Sequence, residues 1–453
     1  MKAKLFLFIS LLGIGLSACK KESEVTKPID LTLNLSVDPA QISFPVPYEK
    51  ATVEIINKTN NEKYAGKPSS NGQVVFSGIV PGTYSVNVSM TLSAAEFTEL
   101  SGIAREEDYH LNYAIDNQSY LENSSVDMKL ITSEVIGGFV FKQIYYVGSS
   151  TKDGALFRDL FVEIYNNSNT ALYADSLCFG LVLGKINTTK TDFLLPNLQY
   201  DWSQSIGMLQ NGDANNDYVY AKAIFMIPSD GTGRKHLVQP GQSLVIAGTA
   251  VDHTKPYVLN NGKEQTIGNG ALTVDLSKAD FEVYLYPYDQ KVNPGATKFA
   301  SDVDNPQVPD METIFATGMN DLVMNPQGKE SYILFKSGGK ADPNQFPKYA
   351  NPETRTITAS TNKYPQIPLS YVVDAVEVAA SVEKDKTARR LPLKHDAGSI
   401  SVDGGQYSSQ SIVRKTKTTV NGRRILKDTN NSTADFGVLP KADPSKAAAS
   451  FID

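Results

Sequence analysis

The chain has 453 residues and carries 43 basic against 49 acidic side chains, a formal charge of −6. That balance argues against nucleic acid as a partner and against an electrostatic membrane-binding surface. With only two cysteines there is no disulfide framework, and 22 tyrosines and 19 phenylalanines among abundant Gly, Asn, Thr and Ser favour strands and turns over helices.

The N-terminus sets Lys2 and Lys4 ahead of an apolar run from Leu5 to Leu16. Two lysines before about a dozen apolar residues make an export signal, too short for a spanning helix of ~20 residues. The run ends in Leu16-Ser17-Ala18-Cys19. Small residues before a cysteine resemble the bacterial lipobox, in which the thiol is acylated and residues 1–18 are removed. Acyl chains on Cys19 would then anchor the protein stably, where one chain alone would be marginal. Removing residues 1–18 takes two lysines and leaves 41 basic against 49 acidic groups, a formal −8. Residues 19–29 read as a flexible polar tether, and no second apolar run approaches a membrane span, so the membrane is reached through the lipid alone.

About 435 mature residues suffice for two or three domains. From Leu31, apolar residues alternate with polar ones through Val37, the period of a half-buried strand. Strands follow at 51–57, 73–76 and 82–90, separated by turn signals at Asn60-Asn61, Asn71-Gly72 and Pro81-Gly82. A short helix is expected over 93–100 and closing strands at 111–114 and 125–130. The order Asn71-Gly72, Phe76, Pro81-Gly82, Tyr84, Val86, Val88 resembles the prealbumin-like module found beside carboxypeptidases as a regulatory domain and in many Bacteroidota surface proteins. The resemblance covers roughly residues 30–90 and implies a spacer or binding accessory with no catalytic role. A domain over 30–131 is expected, with the boundary near 132.

The second region, 132–453, opens on a β-prone run, 136–146. It continues with Phe161-Val162-Glu163-Ile164-Tyr165-Asn166, a polar turn, and Asp175-Ser176-Leu177. Later come Pro240-Gly241 before an apolar strand, strands near 281–286, 332–335 and 371–378, and Asp428-Thr429-Asn430-Asn431-Ser432 leading to Asp435-Phe436. These features resemble the lamin-tail domain, an immunoglobulin-like sandwich, as it occurs in secreted bacterial proteins. Together the two resemblances point to an uncharacterised family of Bacteroidota lipoproteins. The fold class expected is therefore mainly β: a small prealbumin-like sandwich, then a larger lamin-tail-like sandwich with long insertions near 185–235, 287–330 and 337–368. Loops of that length in a compact domain are usually functional or disordered.

Motifs that carry chemistry are sparse. His110, His236, His253 and His395 share no metal-ligand spacing and read as solvated surface residues. Cys178, between Leu177 and Phe179, reads as a buried structural thiol. No phosphate cradle or nucleophile elbow occurs, so no cofactor is expected. Asp213, Asn215 and Asp217 have the spacing of a calcium loop, but Tyr218 stands where such a loop needs glycine, so a plain polar loop is the simpler reading. Asp302, Asp304 and Asp310 form a second acidic loop. Glu163 and Asp175 are the one tempting carboxylate pair for hydrolysis; the simpler reading puts Glu163 on the outer face of its strand. Tyr200, Trp202, Tyr218 and Tyr220 lie in a polar insertion, where aromatics either form a platform for a glycan, a small molecule or a protein, or pin the loop to the sandwich.

The expectation is a non-catalytic outer-membrane lipoprotein, cell-surface exposed or else periplasm-facing. It would bind a ligand or a partner protein as an accessory to TonB-dependent nutrient uptake, beside an outer-membrane transporter or another surface protein. A structural or adhesive protein with spacer domains is the rival, and a hydrolase with its site in the insertions is the third reading. Fold analogy carries much of this.

Overall fold

A computed structural model describes all residues except 1–26, 40, 41, 43, 103–107, 134–137, 169, 186–191, 209–211, 381–387 and 421. Cys19 and its tether therefore lie outside the described residues.

The N-terminal alternation becomes the strand Ile29–Val37, with Leu31, Leu33 and Leu35 facing a core that draws on residues 29–130. Each such leucine contributes roughly 1.5–3 kcal/mol by leaving water. Seven strands form one sheet in the order Lys63–Gly66, Thr52–Asn57, Gly82–Leu92, Tyr109–Tyr120, Ser124–Ser133, Ile29–Val37, Gln73–Ile79. All neighbours run antiparallel except Ile29–Val37 and Ser124–Ser133, which pair in parallel. The sheet curls until its two edges meet: a Cβ on Gly66 would stand 2.7 Å from Val74 Cγ2, so this crossing needs glycine. The helix Ala94–Ser101 starts at Ser93, whose hydroxyl accepts from the Glu96 N–H while the Glu96 carboxylate accepts from the Ser93 N–H. It ends at Gly102, φ +71°, and buries Phe97 against Phe44 and Tyr109.

Residues 138–453 build two sheets packed face to face. One has six strands in the order Phe281–Glu282, Ser243–Ala247, Phe161–Asn166, Phe139–Tyr145, Ser411–Arg414, Phe436–Leu439. The other runs Lys348–Ala350, Lys363–Pro368, Tyr218–Met226, Cys178–Val182, Ser331–Phe335, Val372–Glu377, with Glu312–Ala316 also pairing on Tyr218–Met226. Phe141, Ile144, Val162, Ile164, Phe179, Phe225, Tyr332 and Leu334 fill the space between the sheets. The second sheet is buried on its far side too, where Cys178, Val182, Ile333 and Phe335 meet Ile367, Phe346 and Leu391. Burial on both faces explains why Cys178–Val182 reads as an unbroken apolar run.

The segments expected as loop insertions are corrected here. Tyr218–Met226 lies inside the 185–235 segment, yet it is a central strand; Glu312–Ala316 and Lys363–Pro368 lie in the other two and join the same sheet. Apolar residues recur through them because each covers one core or the other.

Arg414, fully buried, clamps the sheets together. It donates to both Asp374 oxygens (2.8 and 2.6 Å), to Asp428 Oδ1 (3.0 Å) and to the Phe141 carbonyl (2.8 Å). The Asp428–Phe436 motif gathers this network and the junction with the first domain. Asn431 caps the turn Ser432–Asp435 and donates to Asn87 Oδ1 at 2.9 Å, while Asn112 Nδ2 donates to the Thr429 carbonyl at 2.6 Å.

Candidate functional site

One concavity follows from the path of the segment after Phe436–Leu439. After Phe436–Leu439 the C-terminal segment does not stop at the sheet edge. It turns back across the outer face of the six-stranded sheet as an irregular strap. One side chain of the sheet holds it twice: Gln143 Nε2 donates to the Asp443 carbonyl (2.7 Å), and the Asp443 N–H donates to Gln143 Oε1 (2.9 Å). Further along, Lys446 Nζ reaches Asp280 Oδ2 (2.6 Å), an oxygen that also accepts from the Val245 N–H (2.7 Å). Lys446 sits at φ +61°, a left-handed conformation that costs a non-glycine residue energy and persists because its neighbours hold it.

Beyond these anchors the strap lies over Lys142 and Glu163, both with fully buried side chains and 2.9 Å apart. Lys142 also donates to Ser450 Oγ (2.7 Å) and stands 3.7 Å over the Phe451 ring. Glu163 does point outward from the sheet, but the strap covers it. Asp175 is elsewhere, accepting the N–H groups of Lys235 and His236 (3.0 and 2.8 Å), so the two carboxylates share no site.

Between the strap and the loop carrying Val274 to Ala279 opens a cleft of about 850 Å³. Its floor and walls are aliphatic: Val245, Val274 and Leu276 on one side, Leu439, Ala442 and Pro444 on the other. Thr254, Thr273 and Ser445 add hydroxyls, and Lys278, Lys441, Lys446, Asp275 and Asp443 stand at the rim. Asp275 is held within its own turn by Ser277, N–H (2.9 Å) and hydroxyl (2.6 Å), and Asp443 accepts from the Ser445 N–H (2.9 Å). The larger domain also buries Asp159 and His253 and half-buries Tyr257. Asp159 accepts from the Tyr145 hydroxyl (3.2 Å), and burial pushes its carboxyl up to about 7. His253 bonds the Thr249 carbonyl through Nε2 (3.0 Å), and burial pulls its imidazole down to about 4. Tyr257 meets the His253 ring edge-on at 5.2 Å. A smaller hollow of about 380 Å³ is flanked by two ion pairs, Arg158–Asp321 and Lys222–Glu330.

The structure brings the four aromatics Tyr200, Trp202, Tyr218 and Tyr220 together, but turned inward. Trp202 stacks on Tyr220 with ring centres 3.8 Å apart and planes 12° from parallel, and Tyr200 packs edge-on against Trp202. Tyr200, Trp202 and Tyr220 are 1%, 4% and 0% exposed; only Tyr218 is half-buried. Large rings in a polar segment are here the core that fastens it, and they present no open face.

The Asp213–Asp217 loop spends its oxygens on N–H groups of its own turn. Asp213 accepts the N–H groups of Asn215 (2.8 Å) and Asn216 (3.1 Å), Asp217 accepts the Asp213 N–H (2.8 Å), and buried Asn215 accepts from the Trp202 N–H (2.7 Å). Three other carboxylates do converge: Glu282, Asp304 and Asp310 bring oxygens within 4.8 Å of one another. Glu282 is buried and already accepts from the Ala250 and Asn305 N–H groups (2.9 and 2.7 Å), and burial beside the other acids lifts it to about 7. Asp304 and Asp310 are the members with oxygens to offer a cation. Asp302 turns away to cap Leu285 and Tyr286.

The histidines are corrected as well. His110 and His253 are 3% and 0% exposed, and the other two are half-buried. Cys178 is buried, and burial pushes its thiol far above the ordinary range. Sequence reasoning missed the cleft. Its signal was the stretch Pro440 to Ala449, with two prolines, small residues and no strand period, which an ordered strap produces as readily as a frayed end.

Residues 239–443, which carry most of both cleft walls, match the family model described as protein of unknown function (DUF4876). The fold is similar to the crystal structure of a DUF4876 family protein from Bacteroides thetaiotaomicron. That protein is 27% identical, with 90% of this chain and 95% of that one covered, at a TM-score of 0.50. Weaker likenesses include DUF3823 family proteins from Bacteroides ovatus (13% identity, 49% of this chain and 98% of that one, TM-score 0.14) and Parabacteroides merdae (9%, 48% and 99%, 0.15). No curated protein matches the chain.

Proposed function

We propose that the mature chain is a non-catalytic outer-membrane lipoprotein, tethered through acylated Cys19, that captures a small molecule in the strap cleft for a TonB-dependent transporter. The observation that carries this is the cleft itself. A concavity of about 850 Å³ with an aliphatic interior and a few polar groups at its rim has the size and chemistry of ligand sites, which run from about 300 to 1,000 Å³. Its walls come from a sheet edge, an anchored loop and an anchored strap, so it is built before the ligand arrives and costs little ordering on binding. The prealbumin-like domain serves as the stalk between anchor and cleft. Confinement by the lipid raises the effective concentration of the cleft for a transporter in the same membrane.

The test is a thermal-shift screen of nutrient-type small molecules on the wild type and on Ala449→Trp, which places an indole in the cleft from an exposed strap position. At least one compound raises the wild-type midpoint and leaves the variant unmoved. A screen in which every shift is the same in both proteins refutes the reading. Cys19→Ala should release the protein from the outer-membrane fraction.

A further inference from the structure

We infer that the first domain stands on the lipid surface that holds its anchor, touching it through Leu121 and Val80. The inference rests on the acylation of Cys19 and adds a contact surface: the protein meets its membrane at one fixed end of the domain. Three observations carry it.

The first is where strand register puts the entry of the chain. Ile29 opens the first strand opposite Ile79, and the parallel neighbour begins at Ser124, opposite Leu31. The turns at 80–81 and 121–123 therefore lie on either side of the point where the tether joins the domain. A third turn, 58–62, falls at the same end, since Asn57 pairs with Tyr84 and Gly82 with Tyr120. The chain leaves for the larger domain from the far end of Ser124–Ser133. Nine residues separate Cys19 from Ile29. Fully extended they span at most about 35 Å, so an acylated Cys19 keeps this end within that distance of the bilayer.

The second is exposure. Leu121 is 72% exposed, more than any other large apolar side chain of the described residues, and Val80 is 42% exposed. Turn tips ordinarily go to Gly, Asn, Asp and Ser, which suit water. A leucine and a valine there leave hydrocarbon in water until something covers it.

The third is rigidity. Asp30, the second residue of the first strand, holds both turns: its N–H donates to Asn123 Oδ1 (2.9 Å) and its carboxylate accepts the Gly78 N–H (3.0 Å). The Tyr84 hydroxyl donates to the Val80 carbonyl (2.5 Å), and Ser124 Oγ donates to the Glu122 carbonyl (2.8 Å). Both apolar side chains thus ride on anchored backbone, and docking them costs little ordering. Charges at this end balance, Lys27, Lys58 and Lys63 against Asp30, Glu62 and Glu122, so the contact is apolar and indifferent to lipid charge.

The experiment uses the full mature acylated chain in phosphatidylcholine vesicles. A fluorophore is attached at this end through Glu122→Cys, or at the opposite end of the domain through Ser70→Cys. Cys19 is acylated and Cys178 buried, so only the new thiol reacts. Lipids with a nitroxide at the headgroup are expected to quench the label at 122 and to leave the label at 70 bright. Leu121→Ser/Val80→Ser should lower the docked-to-free ratio about tenfold or more, since each methylene withdrawn from water is worth about fourfold. That variant stays on the vesicles and keeps its melting midpoint, because both side chains are exposed. Phosphatidylglycerol vesicles give the same result.

A label at 122 as bright as the one at 70, on protein bound to vesicles, overturns the inference and leaves the anchor standing. Quenching that persists in the double variant, or that needs phosphatidylglycerol, overturns the apolar contact. Quenching that follows protein density and not nitroxide content gives the patch to a second copy of the chain and overturns it as well. A mature chain that carries no acyl mass on Cys19 and does not bind vesicles sinks the anchor reading, and this inference with it.

Discussion

Glu163→Gln would leave Lys142 as a charge sealed under the strap. Both side chains are 0% exposed and their charged atoms are 2.9 Å apart. At an effective dielectric of about 20, that separation corresponds to roughly 6 kcal/mol of attraction. Much of it offsets the cost of taking both ions out of water, which is why burial lowers the Lys142 ammonium below its ordinary value despite the partner. Removing one member of a buried pair costs about 3–5 kcal/mol. Because Lys142 keeps the Ser450 hydroxyl and the Phe451 ring, the lower end, about 3 kcal/mol, is expected. The double variant Lys142→Met/Glu163→Gln holds no stranded charge and should recover to within about 1 kcal/mol of wild type. The assay is urea unfolding followed by the fluorescence of Trp202, the only tryptophan. It lies in the larger domain, 4% exposed, so the first domain does not contaminate the signal. A Glu163→Gln variant within about 0.5 kcal/mol of wild type, or a double variant no more stable than Glu163→Gln alone, would refute this account of the strap.

Asp159→Asn tests a buried acid of the larger domain. A carboxyl held at about 7 when folded and near 4 when unfolded contributes stability that is complete below about pH 4 and lost as pH rises through 7. The variant should therefore unfold like wild type at pH 4 and be more stable by ~2–4 kcal/mol at pH 8, read from urea midpoints; a deficit at pH 8 contradicts the assignment. Gly148→Ala should unfold the larger domain or cost it more than about 3 kcal/mol, because φ is +70° and a Cβ would stand 1.9 Å from the Leu156 carbonyl oxygen; circular dichroism melting decides it. Asp213→Ala should cost about 1 kcal/mol through lost N–H acceptance, equally in calcium and in EDTA; a loss seen only in calcium would restore that loop as a metal site.

Much of the first domain was legible in the chain because each strand is half-buried. Leu31, Leu33 and Leu35 face one side and Thr32, Asn34 and Ser36 the other, so the period shows. The helix was legible from Ser93 and Glu96, whose reciprocal cap is local chemistry. The second domain was harder for the opposite reason. The strand Tyr218–Met226 is covered on both faces, so no alternation betrays it, and polar neighbours make it look like part of a loop. The aromatics Tyr200, Trp202 and Tyr220 pack together, but sequence cannot tell a ring facing a ligand from a ring facing a core.

The sequence by itself determined a mainly β chain, because strand periods, turn residues and caps act over a few neighbours. Only the tertiary structure decided where a ligand could sit. The cleft joins Val245 and Val274 to Leu439 and Ala442, residues more than 150 positions apart, and Gln143 from another strand and Asp280 from the bend before Phe281–Glu282 hold its strap. A concavity made by a chain end folding back over a sheet has no local signature, since the contacts that fix it are all long-range.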